Sequence, residues 1–396
     1  MPVKNRKCIV TLLTDDGSPV RISVHAKQKR EILGNVYLGR VESVHHELQG
    51  AFVRFGKDLT GFLSLDSRGN AYSMIKDDSA AVRAGDMIPV QVVREAMKTK
   101  PPGLSSDISL AGKYAVVNAK AGAVRYSSKL SPEEKSVLRA ELKTVRTDGF
   151  ALTVRTNAGI ADPDDVRGEI EALGKELGSL REKCRLEKPY SCILEQLPDW
   201  AVMLRDLRGK NLKEIVTDIP AVCEEVKRCL PRCGSSLTEA RLYSDPAFPL
   251  YRAYNLESLL ERFTGKTVWL RSGGFLVIEQ TEAFVSIDVN SGKNSLGKEK
   301  EDTIFRINTE AAAEAARQIR LRNLSGAILI DFINMSDPAH RDELMKSLRE
   351  YLKDDPVRTT AVDLTALQIA EITRQKARKS LAEQLKEIGE AENLRD

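Results

Sequence analysis

Apolar and polar positions alternate in short runs along the first hundred residues. Cys8 to Val24 alternates around Asp15-Asp16-Gly17, which predicts a β-hairpin. The runs "GNVYLGRVESV", "QGAFVRFG", "TGFLSL" and "MIPVQVV" follow, separated by Gly and charged residues, with no long helix between them. Short strands at that density predict a small barrel, and the OB-fold is the commonest such architecture. Residues 113–203 mix the two periods. "YAVVNAKAGAVRYS" and "FALTVRTNAG" read as strands, and "SPEEKSVLRAELK" reads as a helix begun by Ser131-Pro132. Asp162-Pro163 starts a second helical period, which runs to about Lys183. Helical stretches split by Pro220 and Pro231 occupy 204–265.

The last third is the most regular. "GGFLVIEQTEAFVSIDVNSG" is a strand–turn–strand around Gln280-Thr281-Glu282, and an Ala-, Glu- and Arg-rich helix spans 299–322. "AILIDFINM" is a continuous apolar run of the kind found in buried central strands. A helix starts at Pro338 behind a Ser/Asp cap, "RTTAVDL" is a further strand, and 366–391 reads as a polar, basic amphipathic helix. Strands alternating with helices make this third an α/β layer domain. No internal repeat or low-complexity linker interrupts the chain.

Composition narrows the classes. The 396 residues carry a net charge of 61 − 57 = +4, with 42% hydrophobic and 30% charged residues, so two or three domains with packed cores are expected. Aromatics at 5% argue against an aromatic-rich propeller. Six cysteines without a CxxC pair predict reduced, cytosolic thiols. No apolar segment follows the basic start Met1–Lys7, and no run of about 18 apolar residues occurs, so neither a signal peptide nor a membrane helix is expected. The slight basic excess permits a nucleic-acid partner without demanding one.

Three side chains concentrate the candidate chemistry. Asp288 and Asn290 stand at i and i+2 near the end of an apolar strand and so share a face. Asp331 ends the buried run Ala327 to Ile330. If the two strand ends are neighbours, two acids meet, and they repel unless protonated or bridged by a cation. Mg²⁺ suits such a donor set, with water and phosphate filling its other positions, and can activate water against a phosphodiester. The competing reading is local: Asp and Asn at strand ends also cap helices, and Asn290-Ser291-Gly292 is compatible with a simple turn.

Two other patterns point toward RNA. In "AFVRF", Phe52 and Arg54 share a face opposite Val53, a mixture suited to stacking bases and meeting phosphates, although Phe52 and Phe62 could equally be core. Arg155-Thr156 precedes the turn Asn157-Ala158-Gly159, a grouping that can hold a terminal phosphate or be a surface turn. The histidines (His25, His45, His46 and His340) do not form the separated pair of a metal-free ribonuclease.

The stretch Ser272 to Met335, with "SGGFLVIEQTEAFVSIDVNSG" and "NTEAAAEAARQIRLRNLSGAILIDFINM", closely resembles the catalytic domain of the ribonuclease E/G family. "AFVRFG" and "TGFLSL" resemble its OB-type RNA-binding domain, "DISLAGKYAVV" and "LTVRTNAG" its 5′-sensor region, and "TRQK" at Thr373–Lys376 the end of its catalytic domain. The resemblance covers nearly the whole chain and is closest to the compact ribonuclease G type. It implies an α/β multidomain fold, with an OB-fold barrel at 34–112 inserted in an RNase H-like part at 1–33 and 204–267. A 5′-sensor region at 113–203, a DNase I-like catalytic domain at 268–376 and a C-terminal helix at 377–396 complete it.

The resemblance further implies a cytoplasmic, Mg²⁺-dependent endoribonuclease acting on single-stranded RNA in rRNA or mRNA processing and decay, stimulated by a 5′-monophosphate. The alternative is a catalytically inactive RNA-binding protein of the same fold. By motif, Asp288 and Asp331 hold the metal and Asn290 assists. Phe52, Phe62 and Lys100 contact RNA, the lysine match crossing Pro101–Gly103. Arg155 and Thr156 grip the 5′-phosphate with help at Gly112 and Val116, and Arg358 aligns with a basic residue near the active site. The family's zinc-linking CPxC pair has no counterpart after the catalytic segment, and Cys229 and Cys233 flank Pro231 upstream of it. Zinc is therefore not expected. Any homo-oligomer would use another surface, for which the apolar stripe Leu367, Ile369, Ala370, Ile372, Leu381, Leu385 and Ile388 is the candidate, unless it packs on its own domain. Asn334 replaces the second acid of the family's "IDFIDM".

Overall fold

The computed structural model describes residues 8–26, 31–75, 78–96, 100–145, 147, 149–207, 213–230, 240–292, 300–353, 355–376 and 378–393. The chain divides into two compact units: the described parts of Met1–Lys29 and Asp245–Asp396 form one, and those of Arg30–Ser244 the other.

The first unit begins with the antiparallel hairpin β1 (Cys8–Asp15) and β2 (Ser18–Ala26). Its turn residues Asp16 and Gly17 have φ of 44° and 76°, the left-handed pair that matches the twist of the flanking strands.

The second unit opens with the barrel: β3 (Val36–His45), β4 (Gly50–Gly56), β5 (Leu59–Ser64), the side hairpin β6 (Asn70–Ser73) and β7 (Asp78–Ala81), β8 (Met87–Arg94) and β9 (Gly103–Ser105). Strands β3, β4, β5, β9 and β8 pair in that order, and β3 pairs back to β8, so five strands close. Closure is consistent with the OB-type barrel expected from the pattern. Val53, Phe55, Leu63, Val90 and Val92 fill it.

A four-stranded sheet follows: β10 (Ser109–Ala111), β11 (Ala115–Asn118), β12 (Arg125–Tyr126) and β13 (Ala151–Val154). Between β12 and β13 lies α1 (Pro132–Glu141), whose Ser131 and Glu134 form a reciprocal capping box. After it, α2 (Pro163–Leu186) buries Val166, Ile170, Leu173, Leu177 and Leu180 at helical spacing among the core residues of that sheet. The unit ends with β14 (Cys192–Leu194), which joins β3, then α3 (Asp199–Arg205), β15 (Val216–Thr217), α4 (Pro220–Cys229) and β16 (Arg241–Leu242). Pro220 opens α4 rather than splitting a helix, because a first-turn proline has no intrahelical N–H to lose. Pro231 and Cys233 lie outside the described residues.

The first unit resumes with α5 (Leu250–Ala253) and α6 (Leu256–Thr264). Then come β17 (Thr267–Trp269), β18 (Phe275–Gln280), β19 (Phe284–Asn290), α7 (Lys300–Leu321), β20 (Gly326–Asp331), α8 (Pro338–Leu352), β21 (Thr359–Leu364), β22 (Ile369–Arg374) and α9 (Leu381–Asn393). The six strands pair in the order β17-β18-β19-β20-β22-β21. Only β19 and β20 run parallel, joined through α7. Small Ala311, Ala312, Ala315 and Ala316 let α7 lie close to Ile287, Ile328 and Ile330 in one core. The alternate residues of the strands face the other way. On that face Val277, Ser286, Asp288, Leu329, Asp331, Ile369 and Glu371 all remain accessible.

One expectation fails here. The helix read over 366–391 is a turn, a strand and a shorter helix: Gln368 has φ of 62°, Ile369–Arg374 pairs with both β20 and β21, and α9 begins only at Leu381. Leu367, Ile369, Ala370 and Ile372 therefore share no stripe with Leu381, Leu385 and Ile388. Those last three pack with Ile22, Val24, Leu260 and Phe263 inside their own unit, so the stripe is not a free oligomer surface.

Candidate active site

Asp288 and Asp331 are direct register partners in the parallel ladder of β19 and β20. Neighbouring strands lie about 4.8 Å apart, so the two carboxylates stand side by side on the accessible face. Both are exposed. Asn290 Nδ2 donates to Asp288 Oδ2 at 2.7 Å, which holds that carboxylate in one orientation. Beyond Asn290 the chain does turn, as the local reading had it: Gly292 has φ of 65°, and a Cβ there would lie 2.3 Å from the Gly273 carbonyl oxygen.

The segment leaving Asp331 is clamped by a residue that pattern reading passed over. Asn308, 0% exposed in α7, donates to Ile333 O at 2.7 Å and accepts from Ile333 N–H at 3.1 Å. This amide pair fixes the backbone two residues past the carboxylate. Met335 N–H is held in turn by Gln368 Oε1 at 2.8 Å.

Among the described residues no cluster of three or more His, Cys, Asp or Glu side chains is poised for a metal. The donor set is two carboxylates and the amide oxygen of Asn290. These are hard oxygen donors, too few for a cation stripped of water and fitting for Mg²⁺, which keeps several waters. Thiolate-loving metals find nothing here.

The barrel carries an aromatic cluster. Phe52 and Phe62 are register partners on β4 and β5, with ring centroids 5.7 Å apart and an interplanar angle of 71°. His45 sits edge-on to Phe52 at 5.4 Å. Phe52 and Phe62 are half-buried and outside the barrel core, whereas Phe55 is fully buried within it. Gly50 makes the arrangement possible: a Cβ at this position would lie 2.1 Å from the Phe62 ring. Lys100 is exposed, and the segment after it runs beside Phe62, whose N–H donates to Pro102 O at 2.8 Å. Arg54 shares the outer face and pairs with Glu42 at 3.3 Å.

Residues 109–377 match the Ribonuclease E/G family. The chain belongs to the ribonuclease E/G family. It is 32% identical over 380 residues to Ribonuclease G of Haemophilus influenzae, covering 93% of this chain and 77% of that protein. Ribonuclease G of Escherichia coli K12 is 29% identical over 378 residues with the same coverage. Ribonuclease E of that strain is 31% identical over 366 residues, which span 88% of this chain but 34% of the longer protein.

In this ribonuclease E/G member the structure brings Arg155 and Gly112 together: Arg155 Nη1 donates to Gly112 O at 2.5 Å. The same nitrogen meets Asp206 Oδ1 at 2.8 Å, and Arg205 Nε reaches that oxygen at 3.0 Å. Burial by itself would raise the Asp206 carboxyl, but the two guanidiniums outweigh it and hold it below the usual range. Thr156 Oγ1 bonds Ser127 Oγ at 2.9 Å, and Val116 lies on β11 opposite Thr153. The amides of Lys113, Tyr114 and Ala115 are not open to an anion. All three donate to the Glu169 carboxylate at 2.7–2.9 Å. Pattern reading missed Asp206 and Glu169, whose partners lie some fifty residues away in sequence. The adjacent Arg205-Asp206 pair was the only local signal.

Arg358 is not gathered with the carboxylates. Its carbonyl accepts from Gln375 N–H, beyond the end of β22 that pairs with Gly326. Asp331 lies at the opposite end of β20, about 17 Å along the strand.

Proposed function

We propose that this protein is an endoribonuclease that hydrolyses single-stranded RNA on the accessible sheet face bearing Asp288 and Asp331. The observation that carries this reading is the direct parallel register of those two carboxylates, with Asn290 hydrogen-bonded to one of them. Asp288 and Asp331 are the residues that would hold Mg²⁺. When bound, the ion supplies an acidified water and positive charge for the developing phosphodiester oxyanions. Asn290 sets the orientation of Asp288, and Asn308 holds the strand end that presents Asp331. Water rather than the ribose 2′-hydroxyl attacks phosphorus, the P–O3′ bond breaks and the 3′-oxygen leaves with a proton, so cleavage leaves a 5′-phosphate and a 3′-hydroxyl. The barrel aromatics Phe52 and Phe62 stack bases, and Lys100 meets the backbone. Arg155 and Thr156 receive a 5′-monophosphate. The reading places the protein in cytoplasmic rRNA or mRNA processing and decay. The direct test is cleavage of a 5′-labelled single-stranded RNA with Mg²⁺ and after its chelation. Cleavage that persists unchanged after chelation defeats the metal assignment.

Phe52→Ala and Phe62→Ala are each expected to weaken single-stranded RNA binding by about 1–3 kcal/mol, because every base offers a ring face to stack on. Gly50→Ala should do the same without touching either ring, by displacing Phe62. Fluorescence anisotropy with a short labelled RNA measures all three, and circular dichroism should show the barrel intact. An unfolded Phe52→Ala would mean that the ring is a core element.

RNA bearing a 5′-monophosphate should be cut faster than the same RNA with a 5′-hydroxyl. In Arg155→Gln that difference should vanish while cleavage of the hydroxyl form stays as in wild type, since only the phosphorylated end uses the guanidinium. Paired time courses on the two RNAs decide it, and a preference that survives the substitution places the sensor elsewhere.

A further inference from the structure

Trp269 is the most exposed aromatic side chain of the catalytic sheet, at 70%, although tryptophan is on average a highly buried residue. Its neighbour in sequence, Val268, points into the core beneath α7. Trp269 itself therefore stands on the opposite face, which is the face of Asp288 and Asp331. It is not alone there. Phe275 is its register partner on β18, and the two rings lie 5.1 Å apart at 52°. Phe275 is in turn the register partner of Asn290 on β19. The ladder thus runs Trp269, Phe275, Asn290 across three strands, with Asp288 two residues back along the third. Strand spacing and rise put Trp269 about 12 Å from Asp288 between Cα atoms. That is within reach of an RNA strand laid across this face with a phosphate at the carboxylates. Arg271 is exposed in the turn between β17 and β18, beside the aromatic pair.

We propose that Trp269, braced by Phe275, is a stacking platform for a nucleobase flanking the scissile phosphate. An indole presents a broad π-face and a single N–H, so it favours stacking over hydrogen-bonded readout and accepts any base. Phe275 keeps the indole from folding flat onto the sheet and leaves its outer surface to the base. The platform lies on the catalytic unit and is separate from the barrel aromatics. It would fix the register of the strand at the point of cleavage, while the barrel contributes to overall affinity. The inference rests on the reading of Asp288 and Asp331 as the scissile-phosphate site.

The test uses the full chain, Mg²⁺ and a short single-stranded RNA with one mapped cleavage site. Trp269→Ala should lower kcat/KM by about 5- to 150-fold, the range of one lost base–aromatic stack, and Trp269→Phe should recover most of it. Replacing the bases flanking the cleavage site one at a time by abasic ribose should slow the wild type at one position. That same replacement should have no further effect in Trp269→Ala. Wild-type kinetics in Trp269→Ala overturn the platform. So does a loss in Trp269→Ala that couples to no abasic position, which would mark a structural role, or one that appears only as a change of oligomeric mass. If wild type does not cleave, or Asp331→Asn cleaves equally well, the failure belongs to the underlying site reading, and the platform falls with it.

Discussion

Asp288→Asn and Asp331→Asn are each expected to lower the turnover of RNA cleavage by several orders of magnitude and to leave RNA affinity within severalfold of wild type. The reasoning is geometric. The two carboxylates are paired in register on adjacent parallel strands, and the remaining oxygen donor is the Asn290 amide. Under the proposed function, replacing either carboxylate would halve the negative charge available to a divalent cation, and would weaken the activation of water and the neutralisation of the leaving oxyanion that the ion would supply. Stability should hardly change, because both side chains are exposed and neither strand loses a core residue. The measurement is single-turnover cleavage of a labelled single-stranded RNA alongside anisotropy binding of the same RNA. Wild-type rates in both variants would return the site to a pair of turn-forming acids. Loss of binding in step with activity would mean that the carboxylates serve the fold.

The second large effect is on stability. Asp355→Ala is expected to destabilise the unit that holds the six-stranded sheet by about 3–5 kcal/mol, through a charge left buried without its partner. Arg374 and Asp355 are 3% and 0% exposed at their side chains and meet through Nε at 2.7 Å and Nη2 at 3.2 Å. Arg374 also donates to Asn323 Oδ1 at 2.7 Å and Leu324 O at 3.0 Å, while Asp355 accepts from Val357 N–H at 3.0 Å and Thr359 Oγ1 at 2.9 Å. The pair thereby ties the end of β22 to the loop before β20 and to the approach to β21. Removing the carboxylate strands the guanidinium in the core. In thermal unfolding the midpoint of this unit should fall by about 10 °C. The exposed control Glu343→Ala should stay within about 0.5 kcal/mol of wild type. A midpoint unchanged in Asp355→Ala would show that water reaches Arg374.

These two sites differ in how far they could be read from the chain. The acids at 288 and 331 announce themselves, because each stands at or near the end of an apolar strand and Asn290 repeats the side at i+2. Arg374 does the opposite. It occupies an inward strand position with a charge, so "IAEITR" loses the alternation that marks a strand, and its Ile and Ala spacing passes for a helix. The partner that neutralises it lies nineteen residues away. A strand pinned between β20 and β21 by backbone hydrogen bonds on both sides overrides that local preference, since β-pairing is set by neighbours rather than by the segment. The aromatic cluster shows a milder case. Alternation put Phe52 and Arg54 on one face without deciding between core and surface, and only the structure shows that this face is the outer one, that Phe62 meets Phe52 and that Gly50 clears the space for its ring.

What the amino-acid sequence determined by itself is whatever local physics decides: the β1–β2 turn at Asp16-Gly17, the capped starts of α1, α2 and α8, the strands that carry Asp288 and Asp331, and, through its motifs, the family. Caps, turns and periodicity act within a few residues, so they survive in a one-dimensional reading. Tertiary structure alone decided that β19 and β20 are parallel neighbours in register, that β22 is a strand, and that Asn308 clamps the loop behind Asp331. It also decided that Asp206 and Glu169, not open solvent, meet Arg155 and the amides at 113–115. Each of these is a pairing between groups distant along the chain. Such pairings form because burying apolar strands and helices together forces every enclosed polar group to find a partner wherever the fold delivers one.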